Sequence, residues 1–575
     1  MIIILILMRK LIASIIDKIP QILFIFLFLL IQVYCDLTLP QYTADIVNIG
    51  IQNTNFQFII DTGLVMLLMV AISALATIGV SYFSSRVASG YAKDLRKIIY
   101  SKVLRFSNHE LNNISRSSLI TRTTNDVNQI QGVLGFVFTT LIFAPLLGVG
   151  SIIKVFELQT NLSWIILMNF VIIIILLAIV MVKVIPYFKI IQEIMDSINK
   201  TAREILIGIP VIKAFVRQDY EENKFRKVNK DFYNINIKVF KTMLIMLPLM
   251  TLIMNLMVVL ILYFGAYDAI NNGVLTGDII AFIQYATMIV TSFLMIGGFF
   301  IMLPRILVSG RRISEVLNTE LTITDGELTE ISQNPTIEFR DVSYKYPGSE
   351  KETLKNISFT LMPGKTTAII GGTGSGKSTI LNLIPRLQDP SSGEILIDGK
   401  NIKDYNLKSL RNKISFTPQK AILFQGDVKS NMQIGKNDAS EEEIRRALEL
   451  AQVDFVENLA EEVHQGGANF SGGQKQRLSI ARAIMDHHEF YLFDDCFSAL
   501  DMNTERKIKE NLKDLKDSSI LIVSQRISTI MDADEILVID NGEIVDRGTH
   551  DKLVESCDIY REIANIQIDY MEALL

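Results

Sequence analysis

Three short runs in the C-terminal part of this 575-residue chain hold residues whose types and spacing suit phosphate chemistry. The run Gly371-Gly372-Thr373-Gly374-Ser375-Gly376-Lys377-Ser378-Thr379 follows an apolar strand, Thr366 to Ile370, and opens a helix, which is the context a phosphate loop requires. Its glycines let backbone N–H groups wrap phosphates, Lys377 neutralises β- and γ-oxygens, and Ser378 ligates Mg²⁺. Asp494, closing the apolar strand Phe490 to Phe493, supports the same ion. The third run, Phe470-Ser471-Gly472-Gly473-Gln474, opens a helix expected over Lys475 to Ile484. It supplies a second bare helix N-terminus, with small residues that let N–H groups approach an anion closely. Two phosphate-binding surfaces on one chain imply a nucleotide held in a sandwich.

What positions these runs follows from the division of charge. Met1 to Glu320 holds 27 Lys+Arg against 19 Asp+Glu, leaving 29 against 42 for the remainder of the chain's 56 and 61. The first part is basic and greasy, the second acidic and soluble. A mean hydropathy of +0.33 with 49% hydrophobic residues would be odd for a soluble enzyme but follows if half the chain sits in lipid. Positive charge is confined to loops between apolar spans, so no nucleic-acid partner is implied. Cys35, Cys496 and Cys557 have neither disulfide-framework nor metal-ligand spacing and fit a reducing compartment. Met1 to Leu7 is too short to span a bilayer and precedes Arg9 and Lys10, so no cleavable signal is expected and Met8 is an alternative start.

Six stretches are long and apolar enough to cross a bilayer: Pro20 to Tyr42, Phe58 to Phe83, Ile130 to Phe156, Leu162 to Ile185, Met243 to Tyr267 and Ile279 to Leu303. The connections after the first, third and fifth are short and lack Lys and Arg. Those after the second and fourth are long and basic, which places them, both termini and everything after Glu320 on the cytoplasmic side of the cytoplasmic membrane. Few breakers interrupt them, so they read as helical continuations of the spans. Few charges lie within the spans, and with no fixed intramembrane cation or anion an apolar or amphipathic substrate is favoured. The fold class is therefore an α-helical six-span transmembrane domain, residues 1–320, followed by an α/β phosphate-loop domain, residues 321–575.

Six spans, two long intracellular helical loops and this set of motifs resemble the half-transporters of the multidrug ATP-binding cassette (ABC) exporter family. Leu119 to Val127 looks like that family's first intracellular loop, and Gly208 to Phe215, with buried-looking Ile209, Val211, Ile212 and Phe215, looks like the second. The resemblance implies that such loops dock on the cassettes through short helices and carry motion. It implies that Ser471, Gly472, Gly473 and Gln474 grip the γ-phosphate of ATP held by another cassette, and that Asp501, in Ser498-Ala499-Leu500-Asp501, crosses the cassette interface. By the same resemblance Tyr346 stacks on adenine, and Gln419 senses the γ-phosphate and Mg²⁺.

Two positions depart from the family. Asp495 stands where a catalytic Glu is usual, and Gln525 where a switch-loop His is usual. One carboxylate is a methylene short, and an amide cannot exchange a proton near neutral pH. The expectation is good ATP binding and poor hydrolysis: the degenerate-site subunit of a heterodimeric exporter of amphipathic compounds, whose partner half-transporter supplies the Glu and the His. The alternatives are an active homodimeric exporter or lipid flippase, and a nucleotide-gated channel or regulator. The segment Ala460 to Gln465 is also shorter than the family's usual stretch, which leaves its contacts with the intracellular loops open.

Overall fold

The computed structural model describes residues 17–158, 162–515 and 517–572; the choice between Met1 and Met8 lies outside them. The chain packs as two compact units. One comprises the residues up to Val103 together with Ser117–Asn318, and the other comprises Leu104–Arg116 together with the residues from Thr319 onward.

The first unit is helical throughout. Its main helices are Ile19–Asp45, Phe56–Val103, the interrupted run Arg116–Glu157, Ser163–Ala214, Gln218–Asn272 and Thr276–Asn318. At 1.5 Å per residue a helix of 48 residues such as Phe56–Val103 is about 72 Å long, far more than a bilayer of roughly 30 Å. The expected helical continuations are therefore present. Among the described residues five helices contain a window long and apolar enough to cross a membrane, and the fourth expected span lies inside the helix Ser163–Ala214. Pro40, Pro186, Pro210 and Pro248 sit inside helices without ending them.

Burial follows helical spacing. Ile25, Leu29 and Val33 line one face of the first helix and pack among Val80, Val87, Phe143 and Leu147, whereas Leu23, Leu27 and Leu30 stay exposed, as suits a surface solvated by lipid. Within Leu119 to Val127, buried Arg122 donates to Arg312 O (2.9 Å) and pairs with Glu315, and Ser309 Oγ donates to Asp126 (2.8 Å). Two expectations need correction. Asp36 lies within the first span, so the membrane region does carry an ionisable acid. Of the residues expected to be buried near Gly208, Val211 and Phe215 are 60% and 74% exposed and Ile209 is also exposed, because no described residue covers them.

The second unit is built on a six-stranded sheet. Its strands, with those of a four-stranded and a two-stranded sheet, run β1 (Ile337–Tyr344), β2 (Leu354–Leu361), β3 (Thr366–Gly371), β4 (Ser392–Ile397), β5 (Lys400–Asn401), β6 (Ile414–Thr417), β7 (Gly426–Asp427), β8 (Glu462–Val463), β9 (Phe490–Asp494), β10 (Ser519–Val523), β11 (Glu535–Asp540) and β12 (Glu543–Gly548). The large sheet has the order β12-β11-β3-β10-β9-β6, parallel except for the edge strand β12. β3, β9 and β10 are almost wholly buried, as strands covered on both faces must be. The smaller sheet, β2-β1-β4-β5, is antiparallel, and β7 pairs with β8.

The short helix Asn108–Asn113 joins this second unit. Ser107 and Glu110 form a reciprocal cap at its start, and Thr322 N–H donates to the other oxygen of Glu110 (2.8 Å). Asn108 N–H donates to Leu387 O (3.4 Å). Burial pushes the Glu110 carboxyl upward, but the hydrogen bonds from Ser107 and Thr322 outweigh it and hold the pKa at about 2. The resulting stabilisation is present above the unfolded value near 4.5 and is lost as pH falls toward 2. Glu110→Ala should loosen this docking by about 2 kcal/mol, so amide exchange over residues 104–116 should quicken roughly 30-fold near neutral pH. Exchange that does not change would remove the clasp from the account.

Candidate functional site

Four loops leave the C-terminal edge of the large sheet from adjacent strands, which gathers distant parts of the sequence. The phosphate loop follows β3, the switch loop follows β10, Asp494 and Asp495 end β9, and Gln419 follows β6. Register fixes their levels, because Val523 pairs with Ile369 on one side and with Asp494 on the other. The edge of a parallel sheet with loops of this kind is where ligands bind in open α/β folds.

In the phosphate loop Gly374 and Gly376 take φ of +84° and +99°, which only glycine adopts freely. A Cβ on Gly371 would collide with the carbonyl oxygen of Ile539. The loop runs into the helix Lys377–Leu383, where Lys377 Nζ donates to Gly371 O (2.8 Å) and Gly372 O (2.7 Å). Burial lowers the Lys377 pKa, while Asp495 and Asp494 oppose that shift and keep a cation at the loop mouth. Ser378 Oγ donates to Asp494 Oδ1 (3.0 Å), and burial raises the Asp494 pKa. This hydroxyl and carboxylate, with Gln419 close by, form a donor set of hard oxygens that fits Mg²⁺.

Asp495 has a φ of +46°, and its N–H donates to Val523 O (2.9 Å). That turn aims the short carboxylate back at its own cassette, where it accepts from Gln419 Nε2 (3.4 Å) and from the backbone N–H of Gln525. Burial raises its pKa, and these hydrogen bonds with Lys377 and Arg526 oppose the rise. The structure thus brings together Lys377, Ser378, Gln419, Asp494, Asp495 and the backbone of Gln525. Tyr346 reaches the same helix: its hydroxyl lies 3.1 Å from Thr379 Oγ1, and its ring meets Tyr344 edge-on.

The Ser471 to Gln474 turn is built for presentation. Ser471 caps the helix Gly472–Ala483, its Oγ accepting from Gln474 N–H while Gln474 Oε1 accepts from Ser471 N–H. This cap starts the helix three residues before the expected Lys475. Ser471 and Gly472 are exposed, and Gly473 lies so close to Ala499 O that a Cβ would sit 3.0 Å away. Gln476 Oε1 accepts from Ala499 N–H, tying the turn to the Ser498–Asp501 loop. Asp501 is exposed and caps the next helix through Thr504 N–H (3.0 Å). The short segment Ala460 to Gln465 is an ordered strand and turn, with His464 N–H donating to Asn469 Oδ1 (3.0 Å).

Two contacts were not foreseen. Arg526 donates to Ser498 O (2.6 Å) and Leu500 O (3.2 Å), joining the switch loop to the loop before Asp501. Gln567, on the C-terminal helix Asp558–Glu572, brackets the switch residue: its Nε2 donates to Gln525 O (2.8 Å) and its Oε1 accepts from Ile527 N–H (2.8 Å). Arg526 carries a weak local signal, being next to Gln525. Gln567 carries none.

Comparison with known proteins places this architecture. The ABC transporter transmembrane region family matches residues 22–293, and the ABC transporter family matches residues 354–498. An uncharacterized ABC transporter ATP-binding protein of Mycobacterium tuberculosis is 36% identical over 94% of this chain and 94% of its own length. An ATP-dependent lipid A-core flippase of Desulfotalea psychrophila is 31% identical, covering 87% and 89% of the two chains. The multidrug resistance-like ATP-binding protein MdlA of Buchnera aphidicola is 32% identical over 83% of each. The solved structure of a bacterial Atm1-family ABC exporter with ATP bound has the same fold, with a TM-score of 0.80 at 22% identity over 96% of this chain and 99% of that one.

Lys377→Ala removes the cation at the loop mouth and should weaken ATP binding by about 1.5 to 3 kcal/mol, roughly 10- to 100-fold in affinity by equilibrium titration. Unchanged affinity would contradict the assignment. Gln567→Ala should lower the slow turnover at this chain's own site, measured without a partner, while leaving ATP affinity close to that of the unmodified protein, since it frees the switch loop and spares the phosphate loop; equal losses in both would assign Gln567 a merely structural role.

Proposed function

The chain belongs to the ABC transporters that fuse a membrane-spanning domain to an ATPase cassette, and from that premise we propose that it is one subunit of an ATP-driven exporter whose own nucleotide site binds ATP and hydrolyses it slowly. As a multi-pass protein of the inner membrane with a cytoplasmic nucleotide-binding domain, it couples an ABC-type ATPase to transport. We take residues 1–320 as the transmembrane domain and 321–575 as the nucleotide-binding domain. The cargo in this reading is an amphipathic or apolar compound leaving the cytoplasm.

The observation that carries the reading is Asp495. Its carboxylate is a methylene short of the usual glutamate and is engaged by Gln419 and the Gln525 backbone. Withdrawing a base by about 1 Å costs on the order of 100-fold in rate. Gln525 adds no proton-exchanging group to compensate. The binding parts are complete: Lys377 at the loop mouth, the Ser378 and Asp494 pair, and an exposed Ser471–Gly472 turn. Mg²⁺ held by Ser378, Asp494 and Gln419 would neutralise phosphate charge. Tyr346 offers a ring to the base, and Asp501 stands at the rim with the loop that Arg526 holds.

In this reading the second site is completed by Ser471 to Gln474 of this chain and the Walker motifs of a partner with Glu and His in the two catalytic positions. The exposed tip carrying Ile209, Val211 and Phe215 supports a dimer, since those side chains are left for a surface outside the chain. ATP would close the two cassettes, the long loops would turn the spans outward, and hydrolysis at the partner-held site would reset them. A second reading, an active homodimeric exporter or lipid flippase, is favoured by the flippase among the relatives. The two readings differ on Asp495.

In the assembled transporter Gly472→Asp should nearly abolish hydrolysis, because it sets a carboxylate against the γ-phosphate of the opposite site. Within this cassette the position is roomy, a Cβ meeting only Ala499 Cβ at 4.0 Å, so the loss would not come from misfolding. Asp495→Asn should reduce turnover only modestly. Abolition by Asp495→Asn with activity retained in Gly472→Asp would replace the paired reading with the homodimeric one. Robust stimulation of the ATPase by a transported compound, with uphill flux, separates an exporter from a nucleotide-gated channel.

A further inference from the structure

Asp36 lies near the middle of the 33-residue helical span Ile19–Ile51, where ionisable groups are costly and are kept for function. It shares the face of Ile25, Leu29, Val33 and Pro40, so it points into the helix bundle and away from the exposed Leu23, Leu27 and Leu30. Ser73 Oγ on the second membrane helix donates to its Oδ1 (2.8 Å). Among the described residues no lysine, arginine or histidine pairs with it, so the hydroxyl solvates the carboxylate without neutralising it.

Further along the same helix, on its exposed side, an open groove is lined by Thr77, Ser81, Ser85 and Ser89 together with Ile78 and Tyr82. Arg86, also on the groove, donates to Tyr82 Oη and lies toward the cytoplasmic end, where water and salt screen it. Asp36 acts in the low dielectric of the span, where a carboxylate attracts a cation far more strongly.

We propose that Asp36 is the charge-selective contact of a binding site for monocationic amphiphiles within the membrane-spanning unit. The inference rests on the export reading and narrows its cargo. A cation entering the site replaces the missing counter-ion, while its apolar body remains among the aliphatic side chains of the span. An anionic amphiphile meets like charge and is rejected.

The test uses the assembled transporter in proteoliposomes, with methyltriphenylphosphonium as the cation and triphenylphosphine oxide as its uncharged near-isostere. In the unmodified protein the phosphonium should half-stimulate ATPase activity at a concentration at least about tenfold below the phosphine oxide, and Asp36→Asn should erase that difference. Asp36→Glu should restore it. Ser73→Ala, which keeps the charge, should retain the preference; if Ser73→Ala and Asp36→Asn shift both probes alike, the pair is only an interhelical hydrogen bond and the inference falls. A transporter that responds to the phosphine oxide and not the phosphonium overturns the inference and leaves export standing. One that answers neither probe and moves neither overturns both.

Discussion

The parallel pairing of β10 between β3 and β9 is the constraint on which the nucleotide site depends. It sets Val523 level with Ile369 and Asp494, so the phosphate loop, the switch loop and the aspartate pair emerge side by side from one edge. Everything chemical in the cassette follows from that alignment. Lys377, Ser378, Asp494, Asp495 and Gln419 come from strands far apart in sequence yet meet within hydrogen-bonding reach. The near-total burial of β3, β9 and β10 makes the register rigid, because a slip of one residue would turn core side chains out of both covered faces.

In the proposed reading the same alignment separates binding from hydrolysis. Binding needs N–H groups, a cation and hard oxygens, which the glycine loop, Lys377, Ser378 and Asp494 supply from the strand ends. Hydrolysis needs a carboxylate that reaches past the strand end. In the proposed reading Asp495 is too short to do so, its left-handed turn returning the carboxylate to Gln419 and the Gln525 backbone. The Gln567 bracket holds the switch loop to the C-terminal helix.

Most of this was legible in the sequence for physical reasons. Glycine spacing after an apolar strand specifies a phosphate loop, and spans of bilayer length with basic alternate connections specify topology. The residues that escaped notice act across long sequence distances. Gln567 holds a loop some forty positions earlier, and Glu110 clasps Thr322, pairings that no local period encodes. The mean hydropathy of the first span averages Asp36 away. Apolar spacing near Phe215 predicts that a face will be covered and does not say by which chain.

In the proposed reading this cassette holds ATP and turns it over only slowly. The most direct measurement is the chemical identity of the nucleotide retained by the purified chain after incubation with Mg²⁺ and radiolabelled ATP, read after rapid removal of free nucleotide. Retention of intact ATP over many minutes is the result the account predicts. Bound nucleotide recovered mainly as ADP would contradict it and would make Asp495 a working base.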